Sequence, residues 1–68
     1  MDVSYDASVD MAYITLTALP EGARRVVTSI AVDDNRLRAD IVLDFNGEGH
    51  LVGLEIARAR SQLPPEIF

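Results

Sequence analysis

The chain contains no cysteine, and its six basic residues are all arginine, so lysine is absent as well. Without thiols there is no disulfide, no thiolate nucleophile and no thiolate zinc site, which removes the staples that small domains often use. Without lysine there is no Schiff-base amine and no phosphate-binding loop of the kind that needs one. The single histidine, His50, excludes any site built within one chain from two imidazoles. No apolar run approaches the roughly 20 residues that span a bilayer as a helix.

Positive charge is scarce too. Six arginines stand against 11 acidic residues, a formal charge of −5. Phosphate neutralisation needs a basic surface, so nucleic acid is not expected as a partner. The arginines fall in three close sets, Arg24 with Arg25, Arg36 with Arg38, and Arg58 with Arg60. They can form one basic face for a carboxylate-bearing partner, or simply solvate edges of an acidic protein. The N-terminus "MDVSYDASVD" is acidic where a secretory leader is basic and then apolar. A cytoplasmic protein with no membrane partner is the expectation.

Sixty-eight residues are expected to make one domain, 1–68. A chain of this size buries only about 60% of the surface it exposes when unfolded. Its core must be thin. Either the packing is unusually good or a second chain completes it. Nearly half the residues are apolar (49%) and a quarter charged (25%), a balance that favours folding over disorder.

Turn formers cluster at "DASVD", "LPEG", "DDNR", "NGEG" and "LPPE". Between them lie short segments. Val3 and Tyr5 alternate with polar neighbours, enough for a first strand. "MAYITLT", Met11 to Thr17, sets Ala12, Ile14 and Leu16 on one face and Met11, Tyr13, Thr15 and Thr17 on the other. "RRVVTSIAV", Arg24 to Val32, is rich in β-branched residues and reads as a third strand, with Val26, Thr28, Ile30 and Val32 on one side. "ADIVLDF" fits a fourth. "HLVGLEIARARSQL" has both strand and helix periodicity. Gly53 favours a strand in its first half, while Ala57 to Leu63 is composed of helix formers and is stopped by Pro64 and Pro65. The predicted fold is α+β: four or five antiparallel strands in a meander, then a short C-terminal helix.

The stretch "DFNGEGHLVGLE" also fits a calcium-loop template, with Asp44 first, Asn46 third, Glu48 fifth, Gly49 sixth and Glu55 twelfth. A working loop of that type needs a helix on each side, and the entering segment here is β-rich. Val52 at the ninth position offers no side-chain oxygen. Two apolar runs flank Asn46-Gly47, the strongest short hairpin signal, because both residues tolerate positive φ. The hairpin is preferred, and no metal or cofactor is expected.

Two stretches, "YDASVDMAYITL" and "IVLDFNGEGHLVGLEI", together resemble the small bacterial family called domain of unknown function 2283. Tyr5, Asp6, Asp10, Tyr13, Asp44, Gly49, Gly53 and Glu55 fall in order at the spacings of that pattern. The middle, 18–40, matches poorly, and "TSIAVDDNRLRAD" is longer than the pattern. The resemblance implies a compact antiparallel sheet with one helix and supplies no biochemical activity. It also implies a small accessory or partner protein, of the kind suspected as the antitoxin half of a toxin pair.

Few residues carry reactive chemistry. Asp44 and Glu55 lie on opposing strands of the proposed hairpin and can converge as an acid/base pair. Alternatively Asp44 caps the turn and Glu55 meets an arginine across the sheet. His50 is expected at an exposed position beside the turn. Asp6 and Asp10 are expected to fold back on the backbone and fix the first turn. On the mixed face, Met11, Tyr13 and Thr15 are exposed unless something covers them, and Tyr and Met are favoured at interface cores. The expectation is a non-enzymatic, homo-oligomeric interaction module with a possible small protein partner. An enzyme or small-ligand binder using Asp44, His50 and Glu55 is the alternative.

Overall fold

The computed structural model describes residues 1–16 and 19–68. Five strands form one antiparallel sheet: β1 (Asp2–Asp6), β2 (Met11–Thr15), β3 (Thr28–Ala31), β4 (Ile41–Phe45) and β5 (Leu51–Ala57). A one-turn helix, α1 (Ala59–Gln62), follows. The architecture is the expected small α+β sheet with a short C-terminal helix. Among the described residues no helix is long and apolar enough to cross a membrane.

The strand order is β1-β2-β5-β4-β3, so the expectation of a simple meander needs correction. β3, β4 and β5 do form a meander, and β1 and β2 form a hairpin. The hairpin docks on β5 instead of handing on to β3. The physical reason lies in hydrophobicity: β5 carries Val52, Leu54 and Ile56, and a strand with that much apolar surface is best placed at the sheet centre. The edges fall to β1 and β3.

Register explains which residues share a side. Ala12 pairs with Ile56 and Ile14 with Leu54 on β2–β5, while Ile41 pairs with Ile56 and Leu43 with Leu54 on β4–β5. These apolar rows form one face, extended by Tyr5 opposite Ala12 and Ile30 opposite Leu43. Ala12, Ile56 and Ala59 are its buried centre, with Tyr5, Ile14, Ile41 and Leu63 packed around them. Ala12 and Ile14 thus lie toward the C-terminal helix, although this cover is a single turn.

Two boundaries differ from the sequence reading, and a third falls outside the described residues. The third strand was expected from Arg24, but Glu21–Arg24 is a 3-10 turn and β3 begins only at Thr28. Pro20 enters that turn at φ −56°, its natural value, and the Ala23 N–H closes it on the Pro20 carbonyl. The helix expected from Ala57 starts at Ala59. The Ala57 N–H still donates to the Asp40 carbonyl, keeping it in the sheet, and Arg58 turns the chain with φ 48°. At the other strand end, β2 stops at Thr15 while the Leu16 N–H still reaches the Val52 carbonyl, and the expected extension through position 17 lies outside the described residues.

Asp10 anchors the helix to the first hairpin. It adopts φ 52°, a left-handed conformation that Asp tolerates better than most residues. Its carboxylate accepts from the Tyr5 hydroxyl (2.8 Å) and from the Arg60 N–H (3.1 Å), and its carbonyl accepts from the Ala59 N–H (3.0 Å). The Arg60 guanidinium lies over the rings of Tyr5 and Phe68, 5.4 and 4.7 Å from their centres. Partial burial and the bond to Asp10 push the Tyr5 phenol above its usual range. Asp6 behaves as expected, accepting from the Ser8 N–H and hydroxyl. Asp10 therefore does more than fix a turn: it ties residues 5 and 60 together.

Candidate functional site

The second face of the sheet gathers Met11, Tyr13 and Thr15 with two of the three residues of the other set, Asp44 and Glu55. Tyr13 pairs with Glu55, which pairs with Val42; Thr15 pairs with Gly53, which pairs with Asp44, which pairs with Ser29. Directly opposed residues point to one side, so Met11, Tyr13, Thr15, Asp44 and Glu55 share this face. Tyr13 is exposed, and Met11, Thr15 and Glu55 are half-buried.

Asp44 is buried, with only 8% of its surface exposed. Gly53 stands opposite it on β5. A methyl group on Gly53 would be in ordinary contact with the Asp44 carboxylate (3.9 Å) but only 3.0 Å from the Ile14 carbonyl, so the glycine lets β2 approach closely here. Asp44 accepts a 2.7 Å hydrogen bond from the Ser29 hydroxyl, a partner that sequence reading missed. The missing signal was strand pairing, since Ser29 lies 15 residues away.

Asp44 and Glu55 do converge. Glu55 is two residues beyond Gly53, diagonal to Asp44. A hydrogen bond with the Asp44 carboxyl, then burial, then the Asp44 charge raise the Glu55 pKa above the usual carboxylate range. The expected arginine partner for Glu55 does not appear: among the described residues the salt bridge is Arg36 to Asp34 (2.7 Å). Nor does Asp44 cap the turn. That role belongs to Asn46, whose side-chain oxygen accepts from the Glu48 and His50 N–H groups (3.0 Å each) while its amide donates to the Ala23 carbonyl (2.9 Å).

The hairpin is therefore present with a different turn from the one expected. Strands β4 and β5 flank it, so neither side is helical. Gly49, not Asn46-Gly47, takes the positive φ (81°), and its N–H bonds the Asn46 carbonyl (3.0 Å). This is a three-residue loop closed by a left-handed glycine. Just after it the register slips, from Asp44 opposite Gly53 to Phe45 opposite Leu51, leaving Val52 as an extra, buried residue. His50 is exposed beside the turn. Among the described residues no three His, Asp or Glu side chains gather as a metal-holding group. His50 accordingly does not join Asp44 and Glu55 in a three-residue cluster.

What this face can do chemically is limited. It offers one coupled carboxyl pair, a serine hydroxyl bound to a carboxylate, and an exposed tyrosine. The Ser29 hydroxyl donates to Asp44, and Asp44 in turn meets Glu55, a chain of one hydroxyl and two carboxyls.

No curated protein and no solved structure matches the chain. The family model described as "Protein of unknown function (DUF2283)" matches residues 2–60, running through the middle segment as well as both ends. With the whole sheet and the start of the helix inside that match, the chain belongs to the DUF2283 family.

Proposed function

We propose that the protein is a non-enzymatic interaction module that self-associates and engages a second small protein, in the manner of an antitoxin, through its open sheet surface. The thinness of the core supports this reading most. Among the described residues the buried apolar side chains are Ala12, Val52, Ile56 and Ala59, while Val3, Tyr13, Val26, Val27, Ile30, Val32 and Leu51 are exposed. A sheet covered by one helical turn leaves apolar area that a partner would remove from water, at roughly 25 cal/mol per Å². Tyr13, with Met11 and Thr15 beside it on the mixed face, supplies an amphipathic anchor of the type favoured at interface centres.

The test is molar mass in solution by light scattering. The wild-type chain is expected at twice the 7.4 kDa monomer or more. Tyr13→Arg is expected to reduce association while leaving the circular dichroism spectrum intact. A wild-type monomer whose behaviour Tyr13→Arg does not change would defeat the reading.

The coupled pair of Asp44 and Glu55 favours a second reading, a hydrolase or small-ligand binder using these carboxyls. It predicts turnover or ligand binding that Glu55→Gln abolishes and Tyr13→Arg leaves untouched. The placement of His50 outside the pair makes it the weaker of the two.

A further inference from the structure

All six arginines lie outside the strands, and one pair of them borders a cleft. Arg36 and Arg38 sit in the loop between β3 and β4, which faces the end of α1 across an open cleft of about 470 Å³. Leu37, Ile41, Leu63 and Pro64 give it apolar walls. Sites for small molecules range over about 300–1,000 Å³ and combine such walls with a few fixed polar groups.

Hydrogen bonds from Arg38 and Gln62 fix the two walls to each other. Arg38 donates through Nη1 to the Ser61 carbonyl, one of those a helix leaves free at its end, and the Gln62 amide nitrogen donates to the Ala39 and Ala57 carbonyls (3.2 and 2.7 Å). The cleft is therefore shaped before anything enters it. The Arg38 tie uses Nη1 alone and leaves the Nε–Nη2 edge of the guanidinium over. Arg36 shows what that edge does: its Nε and Nη2 grip the Asp34 carboxylate (3.0 and 2.7 Å), the two-point contact that suits a planar acid. Among the described residues Arg38 has no acidic partner of this kind.

We infer that this cleft binds a carboxylate with an apolar body, the acid group on the Nε–Nη2 edge of Arg38 and the body against Leu37, Ile41 and Leu63. Charge selects the acid. Over most of a chain with a formal charge of −5 an anion meets repulsion, whereas here it meets Arg38 and the N–H groups of Arg36 that Asp34 does not use. The other arginines lack this setting, since Arg60 lies over the rings of Tyr5 and Phe68, and Arg24, Arg25 and Arg58 do not line the cleft. The inference goes beyond the function proposed above, because neither Tyr13 nor the Asp44–Glu55 pair borders this cleft. A free monocarboxylic acid and the C-terminal carboxylate of a peptide ending in an apolar residue offer the same chemistry.

Titration of the full chain with sodium octanoate, followed by amide NMR, tests it. The Leu37, Arg38 and Leu63 amides are expected to shift and to saturate at roughly millimolar concentration, with octanol binding about tenfold more weakly. Arg38→Gln is expected to weaken octanoate about tenfold. That change also cuts the tie to Ser61, so Leu37→Glu serves as the independent variant: it keeps the tie, adds a negative charge inside the cleft, and is expected to abolish binding with the thermal midpoint near that of wild type. Arg25→Gln, outside the cleft, is expected to bind like wild type. An N-acetylated tripeptide ending in leucine, compared with its C-terminal amide, assigns the source. A peptide acid tighter than octanoate points to a protein tail and a weaker one to a small acid, each supporting the site if Arg38→Gln weakens it. Octanol as tight as octanoate, no shift at the cleft, or Arg38→Gln and Leu37→Glu both binding like wild type would overturn the inference. Molar mass and its response to Tyr13→Arg are read separately, so the proposed self-association and this site can fail independently.

Discussion

Asp44 and Glu55 stand diagonally across the β4–β5 ladder, and the Asp44 carboxyl holds the Glu55 carboxyl above its ordinary range. Two carboxyl groups side by side on a partly buried sheet face are costly when both are ionised. Ser29 on β3 donates to the Asp44 carboxylate, so three strands contribute to one polar cluster.

Glu55→Gln is expected to stabilise the protein at neutral pH. A raised folded-state pKa means that the native chain binds this proton more tightly than the unfolded chain. That stabilisation is fully present below the unfolded pKa of Glu55 and is lost as pH rises through the higher folded value. Glutamine keeps the shape and can donate to Asp44 without repulsion. Thermal melts are expected to show the variant a few degrees above wild type at about pH 8, with the gap closing by about pH 4. A variant less stable than wild type at the higher pH would refute the assigned repulsion.

Asp10 and Tyr5 are expected to act as a unit. Asp10→Ala removes two hydrogen bonds and places alanine at positive φ, for a loss of about 2 kcal/mol. Tyr5→Phe removes one bond and keeps the ring against Phe68 and Arg60, for a loss of about 1 kcal/mol. Urea denaturation of the single and double variants measures the coupling. The double variant is expected to be less destabilised than the two singles combined, because the Tyr5 bond can be lost only once.

The alternating segments were legible because period-two patterning needs no knowledge of neighbours: Met11–Thr15 and Ile41–Phe45 follow directly from it. Strand order was not legible, because nothing local says that β2 lies against β5 at a separation of about forty residues. The onset of β3 was misread for a similar reason: Arg24 to Val27 has strand composition, but Pro20 starts a 3-10 turn that reaches Arg24. The convergence of Asp44 with Glu55 was readable from hairpin register. Ser29 and Asn46 were invisible as partners, since each acts through a neighbour that only the folded sheet supplies.

Asn46 offers a graded test of that hidden role. It is 7% exposed and makes three side-chain hydrogen bonds. Asn46→Ala is expected to cost about 2–3 kcal/mol by losing all three. Asn46→Asp keeps both acceptor bonds but sets a carboxylate against the Ala23 carbonyl, so an intermediate loss that shrinks at acid pH is expected. Chemical denaturation at two pH values resolves the ranking. Equal losses for the two variants would show that the contact with Ala23 contributes nothing.

Gly53 is the last position at which a single atom decides between alternatives. Its conformation is not left-handed, so alanine there suffers no backbone strain and would ordinarily suit a strand better than glycine. The obstacle is the Ile14 carbonyl on β2, 3.0 Å from where a Cβ would stand. That oxygen belongs to the backbone of a paired strand and cannot swing aside like a flexible side chain. Gly53→Ala is therefore expected to destabilise the fold by about 1 kcal/mol or more through a local opening of β2 from β5. Amide exchange reads where this occurs: the Leu16 N–H, which bonds the Val52 carbonyl at 3.0 Å, should exchange faster, while the Val32 N–H across the sheet should not. If Gly53→Ala is as stable as wild type, the close approach of β2 to β5 is looser than the geometry indicates.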